Sequence, residues 1–167
     1  MSSKPKVRVR QATAKDVASL VKLNEKSYPT LSKDNIVWGE SHLISHQRVF
    51  PEGQLVAVVD GKIVGAVASL IVDLGKDPLR LHTWAGITDS GYFNSHAPDG
   101  DTLYGADVYV DPDCRRMGIG KALYEARRKL CRKLKLRRIL AGGAPDRLRG
   151  PLQVHVRGGV CRAGFQG

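Results

Sequence analysis

Two glycines between a predicted strand and a predicted helix form the segment best suited to bind an anion. The segment reads Arg115-Arg-Met-Gly-Ile-Gly-Lys121, with Gly118 and Gly120 just before an amphipathic stretch. Glycine lets the backbone approach a ligand closely, and a helix start presents unpaired N–H groups and the positive end of its dipole. A pyrophosphate group suits such a place, although a tight turn with positive φ would also explain two glycines. The spacing matches neither a P-loop nor a three-glycine dinucleotide fingerprint.

The elements around this segment follow from hydrophobic periodicity. A strand over residues 102–110 precedes it, and apolar residues at i, i+3/i+4 from Ile119 to Leu134 predict a helix after it. The other predicted elements are a strand over residues 7–10, a helix capped by Thr13 that ends near Ser27, a helix from Asp34 to Pro51, a hairpin around Asp60-Gly61, a polar loop over residues 73–102 and a strand over residues 137–141. This order indicates an α/β domain with a mixed sheet (α+β) over residues 1–143.

The net charge of +11 is concentrated in one part of the 167-residue chain. Residues 1–114 carry 12 basic and 14 acidic side chains, whereas residues 115–143 carry 11 basic and one acidic, and residues 144–167 four basic and one acidic. Most of the excess therefore coincides with the candidate phosphate loop and its helix.

A nucleic-acid-binding module is an alternative interpretation of the basic helix. It depends on a cluster formed by Arg127, Arg128, Lys129, Arg132, Lys133, Lys135, Arg137 and Arg138. Tyr124 is the one aromatic residue nearby that could stack on bases, which disfavours nucleic acid as a partner. A solvated helix face is the simplest explanation of such a run.

Other classes of protein are disfavoured by what the sequence lacks. The longest apolar run, residues 63–72, is about half of the roughly 20 residues that span a bilayer. The first ten residues have no apolar core of a secretory signal, so we expect a cytoplasmic protein. Three widely spaced cysteines without a Cys-x-x-Cys pair predict neither a disulfide framework nor a zinc site. The five histidines lack tight metal spacing, and His42 with His46 at i, i+4 is more typical of a helix surface pair than of a zinc site.

The glycine segment resembles the motif of a known family. Arg115-x-x-Gly118-x-Gly120 is similar to the Arg/Gln-x-x-Gly-x-Gly/Ala motif of the GNAT superfamily of acetyl-CoA-dependent N-acetyltransferases, and Val108-Tyr-Val-Asp-Pro resembles the strand and turn before it. The resemblance implies a β-α-α-β-β-β-α-β fold, acetyl-CoA (coenzyme A) as cofactor and a small-molecule or peptide amine as acceptor. The cofactor-binding residues that it implies are Val108, Tyr109, Val110, Arg115, Arg116, Met117, Gly118, Ile119, Gly120 and Lys121.

Asp107 is the catalytic residue that the resemblance suggests. In the family's usual mechanism an acidic residue or a water relay removes the proton of the attacking amine, and Asp107 lies on the strand beside the implied cofactor. A solvated or capping carboxylate is an equally good interpretation of this residue. The sequence assigns no general acid, and a catalytically inactive coenzyme A-binding interaction domain remains a further alternative. The acceptor and the oligomeric state stay open.

A narrower resemblance concerns the long loop and the C-terminal part. His82-Thr-Trp-Ala-Gly-Ile-Thr-Asp and Asp99-Gly-Asp-Thr-Leu-Tyr-Gly-Ala-Asp resemble the acetyltransferase half of two-part proteins in which this domain precedes a carbon–nitrogen hydrolase. Residues 144–167 form a basic Gly/Arg-rich tail without periodicity, which we expect to be disordered. Back-translated one base out of frame, they can encode a peptide with the features of a helix start. We therefore expect a truncation or frameshift after about residue 143, with the family's usual last helix and strands lacking.

Overall fold

A five-stranded mixed sheet forms the centre of the fold. The computed structural model describes residues 3–29, 37–76 and 82–141 of the chain. The strands lie in the order in which they occur along the chain: β1 (Arg8–Gln11), β2 (Leu55–Val59), β3 (Lys62–Val72), β4 (Thr102–Val110) and β5 (Arg138–Ala141). Neighbours from β1 to β4 are antiparallel, and β5 runs parallel to β4. The predicted mixed α/β architecture is confirmed.

Helices cover both faces of the sheet. They are α1 (Val17–Ser27), α2 (Glu40–Val49), the short α3 (Trp84–Thr88) and α4 (Ile119–Lys133). Leu20 of α1 and Leu43 of α2 share one buried cluster with Tyr104 of β4, whereas Leu123 of α4 packs with Val67 on the opposite face. None of the helices in the described part of the chain is long and apolar enough to cross a lipid bilayer.

Local signals explain several of these elements. The backbone N–H of Thr13 donates to Asp16 Oδ2 over 2.8 Å, which caps the short turn leading into α1. Asp60 and Gly61 take φ values of 49° and 77°, as a two-residue hairpin turn between β2 and β3 requires. Both features agree with the sequence-based expectation.

The second helix begins later than predicted. Residues 37–39 are not helical, and α2 begins at Glu40 after Gly39, whose backbone is extended (φ −84°, ψ 171°). The N–H of Trp38 donates to Asn24 Oδ1 over 2.9 Å, so this segment is held against α1 instead of continuing a helix. The predicted cap, Asp34, lies outside the described residues.

The described part of the long loop is fixed to α2. Residues 82–101 include α3 and several turns, which the prediction of a loop did not foresee. Ser45 Oγ donates to the carbonyl of Tyr92 over 2.6 Å, and His46 Nε2 lies 2.6 Å from the carbonyl of Gly91. The loop therefore packs on the same side of the molecule as α1 and α2.

A β-bulge interrupts the pairing of β3 with β4. Ala68 lies opposite Asp107 and Ser69 lies opposite Gly105, so Ala106 is an extra residue in β4. The parallel pairing of β4 with β5 runs from Thr102 to Gly105 and ends at the same point. In the described residues, no strand pairs with the last part of β4 on that side.

Candidate active site

The glycine segment forms a backbone concavity at the start of α4. Arg116 and Gly118 both have positive φ, 66° and 78°. The first hydrogen bond of the helix is donated by Ala122 N to Gly118 O, over 3.0 Å. The N–H groups of residues 119–121 come before it and have no acceptor within the helix. A backbone segment with left-handed residues at alternate positions, followed by helix N–H groups that have no acceptor within the helix, is suited to bind an anion.

A surface concavity of about 420 Å³ lies over this segment, lined by Val110, Cys114, Arg115, Arg116, Gly118, Ile119 and Gly120. Arg115 and Arg116 are exposed, and a Cβ added at Gly120 would meet open space. Met117 instead packs against the core beneath the loop, and Lys121 is exposed on the first turn of α4. Cys114 lines the concavity although the sequence did not single it out.

The C-terminal half of β4 offers an open edge beside this concavity. Asp111 N donates to Val64 O over 2.8 Å, so the backbone groups of Asp111 face β3. In an antiparallel pair, the N–H and C=O groups of successive residues point alternately toward and away from the neighbouring strand. The backbone groups of Val110 and Val108 therefore point away from β3. Tyr109 is placed differently, since its side chain is buried and its backbone faces β3. Of the three predicted strand residues, Val108 and Val110 therefore present backbone groups at the open edge.

The last turn of α1 is tied to this edge and to the turn after it. Ser27 Oγ, which donates to Leu23 O over 2.7 Å, also lies 3.3 Å from Val110 O. Lys26 Nζ lies 2.8 Å from Asp111 and 2.7 Å from Asp113. Burial opposes ionisation of Asp111, but the Lys26 ammonium and the Asp113 N–H outweigh it and lower the Asp111 pKa. These contacts connect α1 to the strand that leads into the concavity.

Asp107 is buried and held by two donors. Tyr28 Oη donates to Oδ1 over 2.9 Å, and Trp38 Nε1 donates to Oδ2 over 2.8 Å. The Tyr28 hydroxyl also lies 3.2 Å from Val108 O, at the open edge. The alternative of a solvated or capping carboxylate does not fit, because Asp107 is 6% exposed and bonds to side chains of other elements.

Aromatic rings surround the indole that holds Asp107. The Trp38 ring centroid lies 5.3 Å from that of Trp84 and 4.7 Å from that of His46. Trp84 Nε1 also donates to the carbonyl of Ala106, the bulge residue, over 3.2 Å. Desolvation lowers the pKa of His46 to about 4, against the smaller opposing effect of the Gly91 carbonyl. His46 is thus neutral at physiological pH.

Arg127 corrects the interpretation of the basic helix. The sequence placed it in a solvated cluster, but it is 1% exposed and lies beneath the β4 bulge. Its Nε donates to Ser69 Oγ over 3.0 Å, and its Nη2 donates to Asp107 O over 2.9 Å. Complete burial lowers its pKa to about 10, which leaves it protonated at neutral pH. Arg128, Lys129, Arg132, Lys133, Lys135 and Arg137 are exposed, and Arg138 is half-buried.

The partners of Asp107 were missed by reasoning from sequence. Tyr28 stands before Pro29 at the end of a helix, and Trp38 lies within the segment predicted to be helical from Asp34, so neither carried a signal of this contact. Arg127 did carry one, because it continues the buried stripe of Ile119 and Leu123 at a spacing of four. In the described residues no group of three His, Cys, Asp or Glu side chains is arranged to hold a metal ion.

The anion concavity, the open strand edge and the buried carboxylate all lie on β4 or directly after it. The family model of the acetyltransferase (GNAT) family matches residues 17–149, and the chain belongs to this family. The resemblance seen in the glycine motif is thereby confirmed. The expected truncation or frameshift after about residue 143 is not borne out, since the match continues past it; residues 142–167 lie outside the described residues.

Two relatives come from Bacillus subtilis (strain 168). The chain is 42% identical to the probable hydrolase YhcX over 138 residues, which are 83% of this chain and 26% of YhcX. It is 39% identical to the uncharacterized N-acetyltransferase YkwB over 135 residues, which are 81% of this chain and 59% of YkwB. The chain thus spans about a quarter and about three-fifths of these two proteins.

A solved structure supports the fold. The GphF GNAT-like decarboxylase in complex with isobutyryl-CoA superposes with a TM-score of 0.69 at 22% identity, over 83% of this chain and 67% of that chain. At this identity the likeness concerns the fold alone.

Proposed function

We propose that the protein is an acetyl-CoA-dependent N-acetyltransferase that moves an acetyl group to a primary amine. The observation that carries the proposal is continuity: one strand, β4, bears the buried Asp107 and an open edge, and leads through a tight turn into the anion concavity. A strand rises about 3.3 Å per residue, so the edge from Asp107 to Val110 is about 10 Å long. An extended ligand with a phosphate at one end and a reactive group at the other fits this arrangement.

The residues of the glycine segment fit the phosphates of coenzyme A. The N–H groups of residues 119–121 and the exposed Arg115 and Arg116 would hold the pyrophosphate. The N–H groups of Val108 and Val110 would bond to the amides of the pantetheine arm, as a neighbouring strand would. The bound isobutyryl-CoA of GphF supports a coenzyme A ligand for this fold.

Asp107 would act as the base toward the amine. Its carboxylate can take a proton from the ammonium or amine group, while Tyr28 and Trp38 keep both oxygens oriented. The thioester supplies the acetyl group, and the products are an amide and free coenzyme A. The name of YkwB supports acetylation of nitrogen as the reaction.

The acceptor would approach from the face of the sheet that carries α1 and α2. Asp107, Trp38 and Trp84 all lie on this face, so an amine there would meet a carboxylate among aromatic rings. A small-molecule or peptide amine is compatible with this surface. Acetyl-CoA as donor is in keeping with a cytoplasmic enzyme.

Calorimetry with acetyl-CoA tests the cofactor, and an assay of thiol release with a panel of small amines and peptides tests the reaction. We expect saturable one-to-one binding and amine-dependent thiol release that Asp107→Ala abolishes. Binding without turnover on any amine would favour the inactive interaction domain. Absent binding, together with salt-dependent binding to single-stranded or duplex nucleic acid, would favour the nucleic-acid module.

A further inference from the structure

Arg127 is a buried cation that bonds to oxygen atoms at the β4 bulge. Besides Ser69 Oγ and Asp107 O, its Nη2 lies 3.4 Å from Ala68 O on β3, a long contact. In the part of the chain that the structure describes, no carboxylate accepts a hydrogen bond from it. The Tyr124 ring covers it, with the guanidinium carbon 5.7 Å from the ring centroid. The guanidinium therefore joins both strands where their pairing is interrupted.

The strands are shaped to receive this side chain. A Cβ added at Gly105 would lie 2.6 Å from Arg127 Nη1, so the missing side chain makes room for the guanidinium. Burying a cation is unfavourable unless its donors are satisfied, and a bulge leaves backbone groups outside the regular ladder. Gly105 and the hydroxyl of Ser69 meet both requirements. We call Arg127, Ser69 and Gly105 the bulge clasp.

The clasp acts on the peptide unit that faces the open edge. The carbonyl of Asp107 and the N–H of Val108 belong to one planar trans peptide and point in opposite directions. Arg127 holds the carbonyl at 2.9 Å, and this fixes the direction of the Val108 N–H. Burial lowers the pKa of Arg127, and the electrostatic attraction of the Asp107 side chain raises it and so opposes loss of the charge on Arg127.

We propose that Arg127 is a positioning residue that orients the β4 edge for the pantetheine arm of coenzyme A. The inference rests on the proposed function, because it needs a coenzyme bound along β4. Arg127 acts through the backbone and does not reach the anion concavity, whose lining residues exclude it. Its loss should therefore weaken binding of the pantetheine arm and leave binding of the nucleotide part unchanged.

The test compares two ligands by calorimetry: coenzyme A, and 3′-phospho-ADP, which lacks the pantetheine arm. We expect Arg127→Met to raise the Kd for coenzyme A about tenfold and to change the Kd for 3′-phospho-ADP less than about twofold. The matched control is Arg128→Met, at an exposed position of the same helix, which should change neither. Hydrogen exchange of residues 102–110 should also accelerate in Arg127→Met and not in the control.

A second pair of variants covers the case in which Arg127→Met does not fold. Arg127→Lys keeps the charge but loses the fork of donors, and Gly105→Ala displaces the guanidinium without removing it. We expect both to weaken coenzyme A by about threefold or more with 3′-phospho-ADP unaffected. Equal weakening of the two ligands, or of neither, would overturn the role of Arg127 while leaving the proposed function intact. A wild-type protein that binds neither ligand would overturn both.

Discussion

Tyr28 Oη and Asp107 Oδ1 lie 2.9 Å apart, and this hydrogen bond joins the end of α1 to the buried carboxylate of β4. Together with the Trp38 indole on the other oxygen, it fixes the plane of the carboxylate. Both donors are neutral side chains that orient the carboxylate. The contact therefore makes α1 part of the candidate active site.

Tyr28→Phe should impair turnover more than binding. The substitution removes one holder of the carboxylate, and hydrogen bonds to charged groups contribute about 1.5–3 kcal/mol. We expect kcat to fall about tenfold or more, with the KM for acetyl-CoA little changed. Steady-state kinetics measures this, with Tyr124→Phe on the other face of the sheet as control. An unchanged kcat would remove Tyr28 from the site.

Asp107→Asn should lose both activity and stability. An amide NH₂ group cannot accept the hydrogen bond that the carboxylate accepts from Tyr28 or Trp38, so one buried donor loses its partner. We expect kcat to fall by about two orders of magnitude or more and the free energy of unfolding to fall by about 1–3 kcal/mol. Kinetics and urea unfolding test this, with the exposed Asp99→Asn as control. Full activity in Asp107→Asn would exclude its role as the base.

Replacing each glycine of the motif by alanine should have opposite effects on the melting temperature. Gly118 has φ of 78°, where alanine costs about 1–2 kcal/mol, so Gly118→Ala should lower the melting temperature. Gly120 lies inside α4, where alanine stabilises by roughly 0.5–1 kcal/mol, but its new methyl group would enter the concavity. Gly120→Ala should melt at the same or a higher temperature and bind coenzyme A more weakly. Equal affinity of Gly120→Ala and wild type would place the phosphates elsewhere.

His46 should make the folded state sensitive to acid. Its folded pKa of about 4 lies below the ordinary value of 6.5, so the unfolded chain binds more protons between these limits. This contribution to stability is fully present above pH 6.5 and is lost as the pH falls toward 4, by about 3 kcal/mol in total. Urea unfolding at pH 7 and pH 5 should show a smaller difference in His46→Gln than in wild type. The pKa values of His42 and His96 are also lowered by burial, so the variant keeps part of the dependence.

Much of the fold could be predicted because its signals are local. The Asp60-Gly61 turn predicts the hairpin, and the apolar stripe from Ile119 to Leu134 predicts α4. Both signals lie within the element that they predict. The predicted start of α2 was wrong, because the observed start depends on a contact across the fold, between Trp38 and Asn24. Capping residues compete with such tertiary contacts, and the sequence does not show which prevails.

The candidate site divides in the same way. The glycine segment is continuous in sequence, and its shape follows from positive φ at Gly118 and from the start of a helix. The surroundings of Asp107 come from α1, from the segment before α2 and from the loop that carries Trp84, which are far apart along the chain. Arg127 was misread because a charge on a helix is usually solvated, although its position in the apolar stripe indicated burial.

The bulge at Ala106 sets the phase of β4. Before it, Tyr104 packs on the face of α1 and α2; after it, Asp107 and Tyr109 do, so even and odd positions exchange faces within one strand. If Ala106 were paired in a regular ladder, strict alternation would send the carboxylate of Asp107 to the side of α4, where the Arg127 guanidinium could neutralise it. The position of the candidate base thus depends on the bulge as much as on the identity of the residue.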